Sequence, residues 1–339
     1  MSDNQIKTYE NDFEIPSDAY VKVIKSNNII SITYTERYSY GNNIIKMDKD
    51  HYCDKNGEWL EFNHYSDRSV NKYNIYKALT QCRNKINANF QDDYTLFITL
   101  TYSPYNDGEL NEKFLRPYPM NNYGLLTSDM HSFMRRMNYH YNIEKYLYTL
   151  EPQHNCNWHS HLLISNGKKY PYIPNNEINE LWRYGYTSTE RVHSVNNLGL
   201  YLTCYQSDID VSELPEDYDL SQFNVEEKTI ITPLGFTEKK SIIKGARIPL
   251  YPPNKKMFVG SRNLVKPEVR RCKYGEIADV LSQNYELTFC KTKSYSDSFR
   301  DFSNTIRYEE YTLIKQKKDD PDCSQNHLVD TISDNVSKG

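Results

Sequence analysis

The chain has 339 residues, a formal net charge of −4 and seven scattered cysteines. Its length suffices for two modest domains or for one domain with long embellishments. No stretch approaches the roughly 20 consecutive apolar residues that span a bilayer, and there is neither a signal-like N-terminus nor a Cys-x-x-Cys pair. Composition therefore disfavours a membrane protein, a disulfide framework and a zinc ribbon, and it predicts an intracellular protein.

The N-terminal part of the sequence predicts strands followed by a helix. Residues 20–24 and 29–34 are β-rich and are separated by a Ser-Asn-Asn turn, which indicates an accessory sheet. A helix is predicted over residues 70–89, where apolar side chains recur at spacings of four and three residues. It leads into residues 96–102, a β-branched apolar run typical of a buried strand.

The next segments complete an α+β pattern. A second helix is predicted over residues 127–141, with Ser128 as its N-cap and four apolar side chains on one face. Residues 146–150 predict a strand, and the run at residues 157–164 predicts its hairpin partner. This order of elements predicts an α+β fold on a mostly antiparallel sheet.

The second strand of that hairpin contains a histidine pair, His159 and His161. In a strand, side chains two residues apart project from the same face, so the two imidazoles converge while Leu162 and Ile164 bury the opposite face. A His-x-His pair alone is a weak signal, because surface and hydrogen-bonded histidines are common.

An acidic residue near the hairpin strengthens the signal. Glu151 ends the preceding strand, and hairpin pairing would bring its carboxylate across to the histidine face. Two imidazoles and one carboxylate, with positions left open, suit a catalytic divalent ion, with Mg²⁺ or Mn²⁺ preferred. Gln153 and His154 remain alternative ligands.

Two tyrosines follow some forty residues later, Tyr201 and Tyr205. On a helix, residues four apart share a face, so two phenols would lie side by side. Packing is the common role of such a pair, especially in a chain with 31 tyrosines. A phenol also needs a cation that polarises its target phosphate before it becomes a useful nucleophile, so the metal and the tyrosines imply each other.

Charge is distributed unevenly towards the C-terminus. Residues 208–219 form an acidic run without Lys or Arg, whereas residues 239–273 contain eleven Lys and Arg against the single acid Glu268. The predicted DNA contacts in this basic segment are Lys244, Arg247, Lys255, Lys256, Arg262 and Lys266. One hypothesis makes the acidic run an electrostatic mimic of DNA that covers the basic segment.

Trp182 has two interpretations. The run Trp182-Arg183-Tyr184-Gly185 fits a packed aromatic at a helix end with Gly185 as its stop, and it equally fits a DNA-facing turn that stacks on unpaired bases.

These residues resemble a known family, the HUH endonucleases that initiate rolling-circle replication of small phages and plasmids. The resemblance covers roughly residues 70–270, and four segments carry it. Residues 96–102 look like the first motif, 158–163 resemble the His-hydrophobe-His motif with Glu151 as its third ligand, 201–205 resemble Tyr-x-x-Lys-Tyr, and 261–267 are similar to the closing Ser-Arg-Gly segment. The motif order is that of a replication initiator rather than a conjugative relaxase.

The chain departs from the family pattern at three positions. Ser160 replaces the middle hydrophobe, Cys204 replaces the lysine of the third motif, and Asp208 stands where two-tyrosine members have a second lysine. The resemblance gives that lysine a role in steadying the phosphate. Lys244 or Lys255 is the suggested substitute.

The resemblance implies an architecture. We expect an HUH-endonuclease core with a central, mostly antiparallel sheet flanked by helices, an N-terminal β-rich accessory region and a C-terminal basic extension. The expected boundaries are 1–69 for the accessory region, 70–206 for the nuclease core, 207–237 for an acidic linker or insert, 238–315 for a basic part that completes the domain, and 316–339 for a disordered tail.

The resemblance also implies a function, namely nicking and rejoining of single-stranded origin DNA. Tyr201 would form a 5′-phosphotyrosine, Tyr205 would accept the second transfer, and Glu151, His159 and His161 would bind one Mg²⁺ or Mn²⁺. Expected partners are single-stranded and origin DNA with a host helicase, polymerase and single-strand-binding protein, but no membrane and no nucleotide. The expected location is the cytoplasm of a bacterial host, with the gene on a phage or plasmid. A non-catalytic origin-binding or copy-control protein with this fold, or a related transposase or relaxase, remains the alternative.

Overall fold

The computed structural model describes most of the chain. The described residues are 6–9, 13–37, 45–54, 56–61, 72–90, 94–103, 105–106, 109–110, 122–153, 158–166, 173–192, 197–297 and 302–314. The predicted tail, 316–339, lies outside them.

Within these residues the chain forms five α-helices and twenty strands. The helices are α1 (Lys72–Asn89), α2 (Tyr123–Tyr141), α3 (Asn175–Trp182), α4 (Leu198–Ser207) and α5 (Gly275–Asn284). The strands of the first half are β1 (Ile6–Tyr9), β2 (Tyr20–Ser26), β3 (Ile29–Thr35), β4 (Ile45–Lys46), β5 (His51–Cys53), β6 (Trp59–Glu61), β7 (Thr95–Thr101), β8 (Tyr105–Asn106), β9 (Glu109–Leu110), β10 (Lys145–Thr149), β11 (Glu151–Pro152) and β12 (Trp158–Ser165). The strands of the second half are β13 (Thr187–Arg191), β14 (Ile209–Asp210), β15 (Val225–Ile231), β16 (Thr237–Ile243), β17 (Phe258–Gly260), β18 (Glu268–Lys273), β19 (Tyr285–Asp297) and β20 (Phe302–Leu313).

A central antiparallel sheet has the strand order β13–β7–β12–β10–β17, and β11 adds to the end of β12. The predicted hairpin is confirmed, because β10 pairs with β12. Alternation along the strands gives the sheet two apolar faces. One face packs on α2 and α3, and the other packs on the second half of α1 and on α4. The α+β class with antiparallel sheets is thereby confirmed.

The two predicted helices exist, but the start of the second was wrong. All four predicted apolar positions of α1 are buried: Ile75, Leu79, Cys82 and Ile86. Helix α2 begins at Tyr123 rather than at Thr127, because Asn122 and not Ser128 is its N-cap. The Asn122 side chain accepts a hydrogen bond from the Leu125 amide at 3.1 Å, which satisfies one of the free donors of the first turn.

A second sheet combines both ends of the described chain in the order β1–β19–β20–β3–β2–β18. The predicted strands at 20–24 and 29–34 are β2 and β3, and they pair with β18 and β20 respectively. Helix α5 covers one face of this sheet, where Ile277 and Leu281 pack on Val21 and Val23. The structure thus joins the N-terminal region and the C-terminal part through shared strand pairing.

Residues 207–237 and their neighbours fold onto the end of α4. Strands β14, β16 and β15 form a three-stranded antiparallel sheet in that order. This sheet brings the side chains of β15 beside the C-terminal half of α4. In the described part of the chain, none of the helices has the length and apolar character needed to cross a membrane.

Candidate active site

The histidine strand β12 lies in the middle of the central sheet, between β7 and β10. His159 faces Thr101 of β7 and His161 faces Thr99, so both imidazoles project to the face that α1 and α4 cover. Leu162 is fully buried on the opposite face. The two-residue period of a strand therefore places the pair on one side, as the sequence predicts.

Glu151 lies beside the histidines because β11 pairs with β12, which sets Glu151 opposite His159. Its Oε2 lies 3.5 Å from Nε2 of His161, and the residue is only 3 % exposed. Burial acts to raise the pKa of Glu151, but the His161 ring, and more weakly Arg247 and His159, bring that pKa below its usual value. A buried, ionised carboxylate thus sits against one imidazole.

The His159 ring has two polar neighbours. Its Nε2 lies 3.0 Å from the Thr101 hydroxyl, and its Nδ1 lies 3.1 Å from the Gln153 amide nitrogen. Burial, followed by the charge of His161, lowers the pKa of His159 to about 4, so the ring is neutral at pH 7. Neutral imidazole is the form that binds a metal. The alternative ligand Gln153 is part of this constellation, whereas His154 lies outside the described residues.

The donor types fit one divalent ion. A carboxylate and two imidazoles form a mixed oxygen and nitrogen set, which Mn²⁺ accepts readily and Mg²⁺ accepts through its oxygen ligand and water. Among the residues that the structure describes, no three His, Cys, Asp or Glu side chains are already gathered around one point. Glu151 and His161 are adjacent, while the ring of His159 is hydrogen-bonded to Thr101 and Gln153.

Helix α4 brings Tyr201 to the same face of the sheet. The Tyr201 ring packs edge-on against Phe97, with a centroid distance of 5.9 Å, and Phe97 in turn stacks on His161 at 5.2 Å. A single aromatic ring therefore contacts both the predicted nucleophile and a predicted metal ligand. For Tyr205 the structure describes the backbone within α4 but not the side chain.

The start of α4 is fixed by polar contacts. Asn197 is the N-cap, and its side chain accepts a hydrogen bond from the Leu200 amide at 3.0 Å. Asn87 of α1 donates to Asn197 and accepts from the amide of Gly199 at 2.8 Å. A Cβ at Gly199 would lie 2.5 Å from the Arg83 carbonyl oxygen, so only glycine allows α1 and α4 to approach this closely.

A lysine from another element reaches the position where the family pattern has one. Nζ of Lys228, on β15, lies 3.0 Å from Sγ of Cys204 and 3.8 Å from Oδ2 of Asp208. Cys204 and Asp208 lie three and seven residues after Tyr201, on the same side of the helix. Lys228, rather than Lys244 or Lys255, thus supplies an ammonium group to the tyrosine face of α4.

Comparison with known proteins identifies a family that the central part of the chain resembles. Residues 95–210 match the model of a family of replication-associated proteins, the ORF2 type. The match supports a replication-initiator role. It covers about a third of the chain, and Glu151, His159, His161 and Tyr201 all lie within it. No curated protein and no solved structure matches the chain.

Arg247 lies outside the matched segment, and its prediction as a DNA contact was wrong. The residue is 1 % exposed, because its guanidinium lies inside the protein and binds three neighbouring groups. It donates to the main-chain carbonyls of Pro152 and Asp208 at 2.9 and 3.1 Å, and to both carboxylate oxygens of Glu213 at 2.8 Å or less. Arg247 therefore joins the end of β11 to the end of α4.

Trp182 is a packed aromatic, so its prediction as a DNA contact was also wrong. It is fully buried, and its indole N–H donates to the Thr101 carbonyl at 3.0 Å. Helix α3 stops because Arg183 adopts a left-handed conformation with φ of 71°, not because of Gly185. Gly185 has φ of 146° and approaches β7 so closely that a Cβ would lie 2.3 Å from the Thr101 carbonyl oxygen.

The other predicted DNA contacts are on the surface. Lys255, Lys256, Arg262 and Lys266 are exposed, and Lys244 is exposed while its Nζ lies 3.3 Å from Glu226. Lys255 also lies over the Tyr123 ring. These positions remain predictions of DNA contact.

The acidic run is partly structural. Asp210 pairs with Lys240 at 3.3 Å, and Glu213 pairs with Arg247. Burial acts to raise the pKa of Asp210, but hydrogen bonds from Ser212 and the charge of Lys240 bring it below the usual value. These acids do contact two members of the basic segment, yet one of the two is buried. Covering of the whole basic surface by the run remains a hypothesis.

Proposed function

We propose that the protein nicks and rejoins single-stranded DNA through a 5′-phosphotyrosine and thereby starts rolling-circle replication. One observation carries the proposal. In a segment that matches a replication-associated family, Glu151, His159 and His161 share one face of the central sheet, and the Tyr201 ring meets that face through Phe97.

The reaction is a transfer of the phosphoryl group without an external energy source. The Tyr201 hydroxyl attacks the scissile phosphorus, a bond forms from its oxygen to phosphorus, and the bond to the 3′ oxygen breaks. The phenol loses its proton and the departing 3′ oxygen gains one, which leaves a 3′-OH end. Because the phosphodiester is kept as a phosphotyrosine, attack by a 3′-OH reverses the step and rejoins the strand.

Glu151, His159 and His161 would hold one Mg²⁺ or Mn²⁺ ion. When bound, such an ion neutralises and orients the scissile phosphate. Arg247, beyond the first layer of ligands, favours the ionised form of Glu151. Thr101 and Gln153 restrict the orientation of the His159 ring through its two nitrogens.

Lys228 supplies the positive charge that the substituted third motif lacks. Its ammonium group is on the tyrosine face of α4, and its side chain is 31 % exposed, so a phosphate can reach it. Tyr205, one turn after Tyr201, takes the second transfer when replication closes the circle.

The enzymatic proposal is tested by trapping the covalent adduct. Labelled single-stranded fragments that tile the DNA carrying the gene are incubated with the protein and Mn²⁺, then boiled in detergent. We expect one fragment to give a labelled protein band that disappears with chelator and in Tyr201→Phe. Tyr139→Phe is the matched control, because Tyr139 is 86 % exposed and lies on α2, which packs on the other face of the central sheet. Absence of any adduct with wild type overturns the proposal.

A non-catalytic origin-binding protein is the second candidate. The observation that favours it is Cys204, a buried thiol in place of the motif lysine. Burial raises the pKa of this thiol, so it carries no charge of its own at pH 7. This candidate predicts that the protein binds the same fragment with high affinity and never forms the adduct.

A further inference from the structure

The second sheet has a face that α5 does not cover. On β2 the side chains of Val21 and Val23 point to the α5 side, whereas Lys22 between them is exposed on the other face. One edge of this open face docks against the predicted nuclease core. There Glu310 of β20 accepts a hydrogen bond from Asn197 at 2.7 Å and pairs with Arg83 at 3.5 Å.

Strand register lines up cations on this open face. Arg271 of β18 is opposite Lys22, Lys22 is opposite Thr33, Thr33 is opposite Tyr308, and Tyr308 is opposite Lys291. Directly paired residues share a face, so these five side chains form one row across five strands.

A second row lies two residues further along the strands. There Lys273 is opposite Tyr20, and Lys293 is opposite Ile306. Neither row contains an acidic residue among these paired positions. We call the polar set the basic shelf; its members are Lys22, Arg271, Lys273, Lys291, Lys293 and Tyr308.

The basic shelf is an electrostatically unfavourable arrangement for the protein alone. Arg271 and Lys22 are like charges directly opposite each other, a pairing that destabilises a sheet. Burial, and then the charges of Lys291 and Lys244, lower the pKa of Lys293, so these ammonium groups are close enough to repel one another. An anion placed on the shelf would relieve this repulsion.

Tyr308 gives the shelf a second kind of contact. Its ring is 36 % exposed and lies in the row between Thr33 and Lys291. Cations that follow a phosphate backbone, combined with an exposed aromatic ring that can stack on a base, are the pattern of single-strand recognition. Paired bases inside a duplex offer no free face for such stacking.

We propose that the basic shelf binds a single-stranded DNA segment and leads it to the start of helix α4. Glu310 ties the shelf to Asn197, and Tyr201 follows Asn197 by one helical turn, about 6 Å along the axis. A strand that leaves the shelf at this edge reaches the nucleophile. The inference rests on the proposed function for the identity of the nucleic acid.

The test removes two charges from the shelf and measures DNA affinity. Lys22→Gln/Arg271→Gln is compared with Lys25→Gln/Arg270→Gln, which removes the same charge from the same two strands on the opposite face. The probe is fluorescein-labelled oligo(dT), and its Kd is measured by anisotropy over a range of salt concentrations. Thermal melting confirms that each variant is folded.

We expect the shelf variant to bind at least tenfold more weakly at about 0.1 M salt. Because each phosphate contact contributes about 0.7 to the salt slope for a single strand, the slope of log Kd against log salt should fall by about 1.4. The opposite-face variant should stay within twofold of wild type. Tyr308→Leu should weaken binding by about fivefold or more without changing the salt slope.

Three results would overturn the proposal. The shelf variant could bind oligo(dT) like wild type, both double variants could lose affinity equally, or the shelf variant could lose affinity for a labelled duplex but not for the single strand. The last result would assign the shelf to duplex DNA.

The adduct assay separates this inference from the proposed function. If wild type forms no adduct but the shelf variant still loses oligo(dT) binding, nicking is refuted and the shelf stands. If the adduct forms and the shelf variant binds normally, nicking stands and the shelf is refuted.

Discussion

Replacing Arg247 with Met separates a structural role from a DNA contact. The guanidinium makes four hydrogen bonds, two to main-chain carbonyls and two to the Glu213 carboxylate. Methionine keeps the apolar stem but donates nothing. Asp208 and Pro152 would lose their shared partner, and Glu213 would lose its countercharge.

The size of the effect follows from burial. Removing one partner of a buried ion pair costs about 3–5 kcal/mol. The side chain of Glu213 is 25 % exposed and can recover part of its hydration, so we expect the lower end of that range, about 3 kcal/mol. On the usual scaling for larger domains, this lowers Tm by about 6–12 °C.

The assay combines melting with DNA affinity. Lys244→Gln is the control, because this lysine is three residues away, carries the same charge and is 57 % exposed. We expect Arg247→Met to melt early and Lys244→Gln to melt within about 1 °C of wild type, as exposed substitutions usually do. An unchanged Tm for Arg247→Met together with lost DNA affinity would refute the structural role.

Three further predictions follow from the site and its surroundings. Lys228→Ala should reduce adduct yield at least tenfold, and adding Cys204→Lys should restore part of it; equal yields in wild type and Lys228→Ala would show that this ammonium group is not needed. Gly185→Ala should lower the free energy of unfolding by roughly 1–3 kcal/mol in a denaturant titration, because its Cβ would meet a main-chain carbonyl at 2.3 Å, and a neutral result would contradict that contact. Asp210 has a pKa below its usual value, so its carboxylate stabilises the fold at neutral pH and this contribution disappears as the pH falls below about 4. The difference in unfolding free energy between wild type and Asp210→Asn should shrink over that pH window, and a difference that grows there would refute the assigned sign.

Local periodicity predicted the parts of the fold that depend on neighbouring residues. The β10–β12 hairpin and the shared face of His159 and His161 follow from the two-residue repeat of strands. The placement of Glu151 follows from the same hairpin. These features require only the pairing of segments that are close in sequence.

Features that depend on distant pairing had no local signal. Nothing in the β3 sequence indicates that it pairs with β20, more than 250 residues away, so the mixed N- and C-terminal sheet could not be derived from pattern alone. Lys228 has the same difficulty, because it reaches Cys204 through the tertiary packing of β15 on α4.

Charged and aromatic residues at the surface look like buried ones in a sequence. Arg247 lies in a run of basic residues and was therefore predicted to contact DNA, yet Glu213 in the acidic run gave a possible partner that a pairing argument could have considered. Trp182 was ambiguous for the same reason, since stacking on a base and packing in a core use the same side chain.

The most direct test of the central claim is to map the DNA attachment site. The adduct formed with Mn²⁺ is digested with nuclease and protease, and mass spectrometry locates the residual nucleotide. We predict that it is attached through a 5′-phosphate to Tyr201 in the first strand cleavage, and that chelator abolishes the attachment. A nucleotide attached to a residue outside α4, or attachment that persists without a divalent ion, would contradict the account.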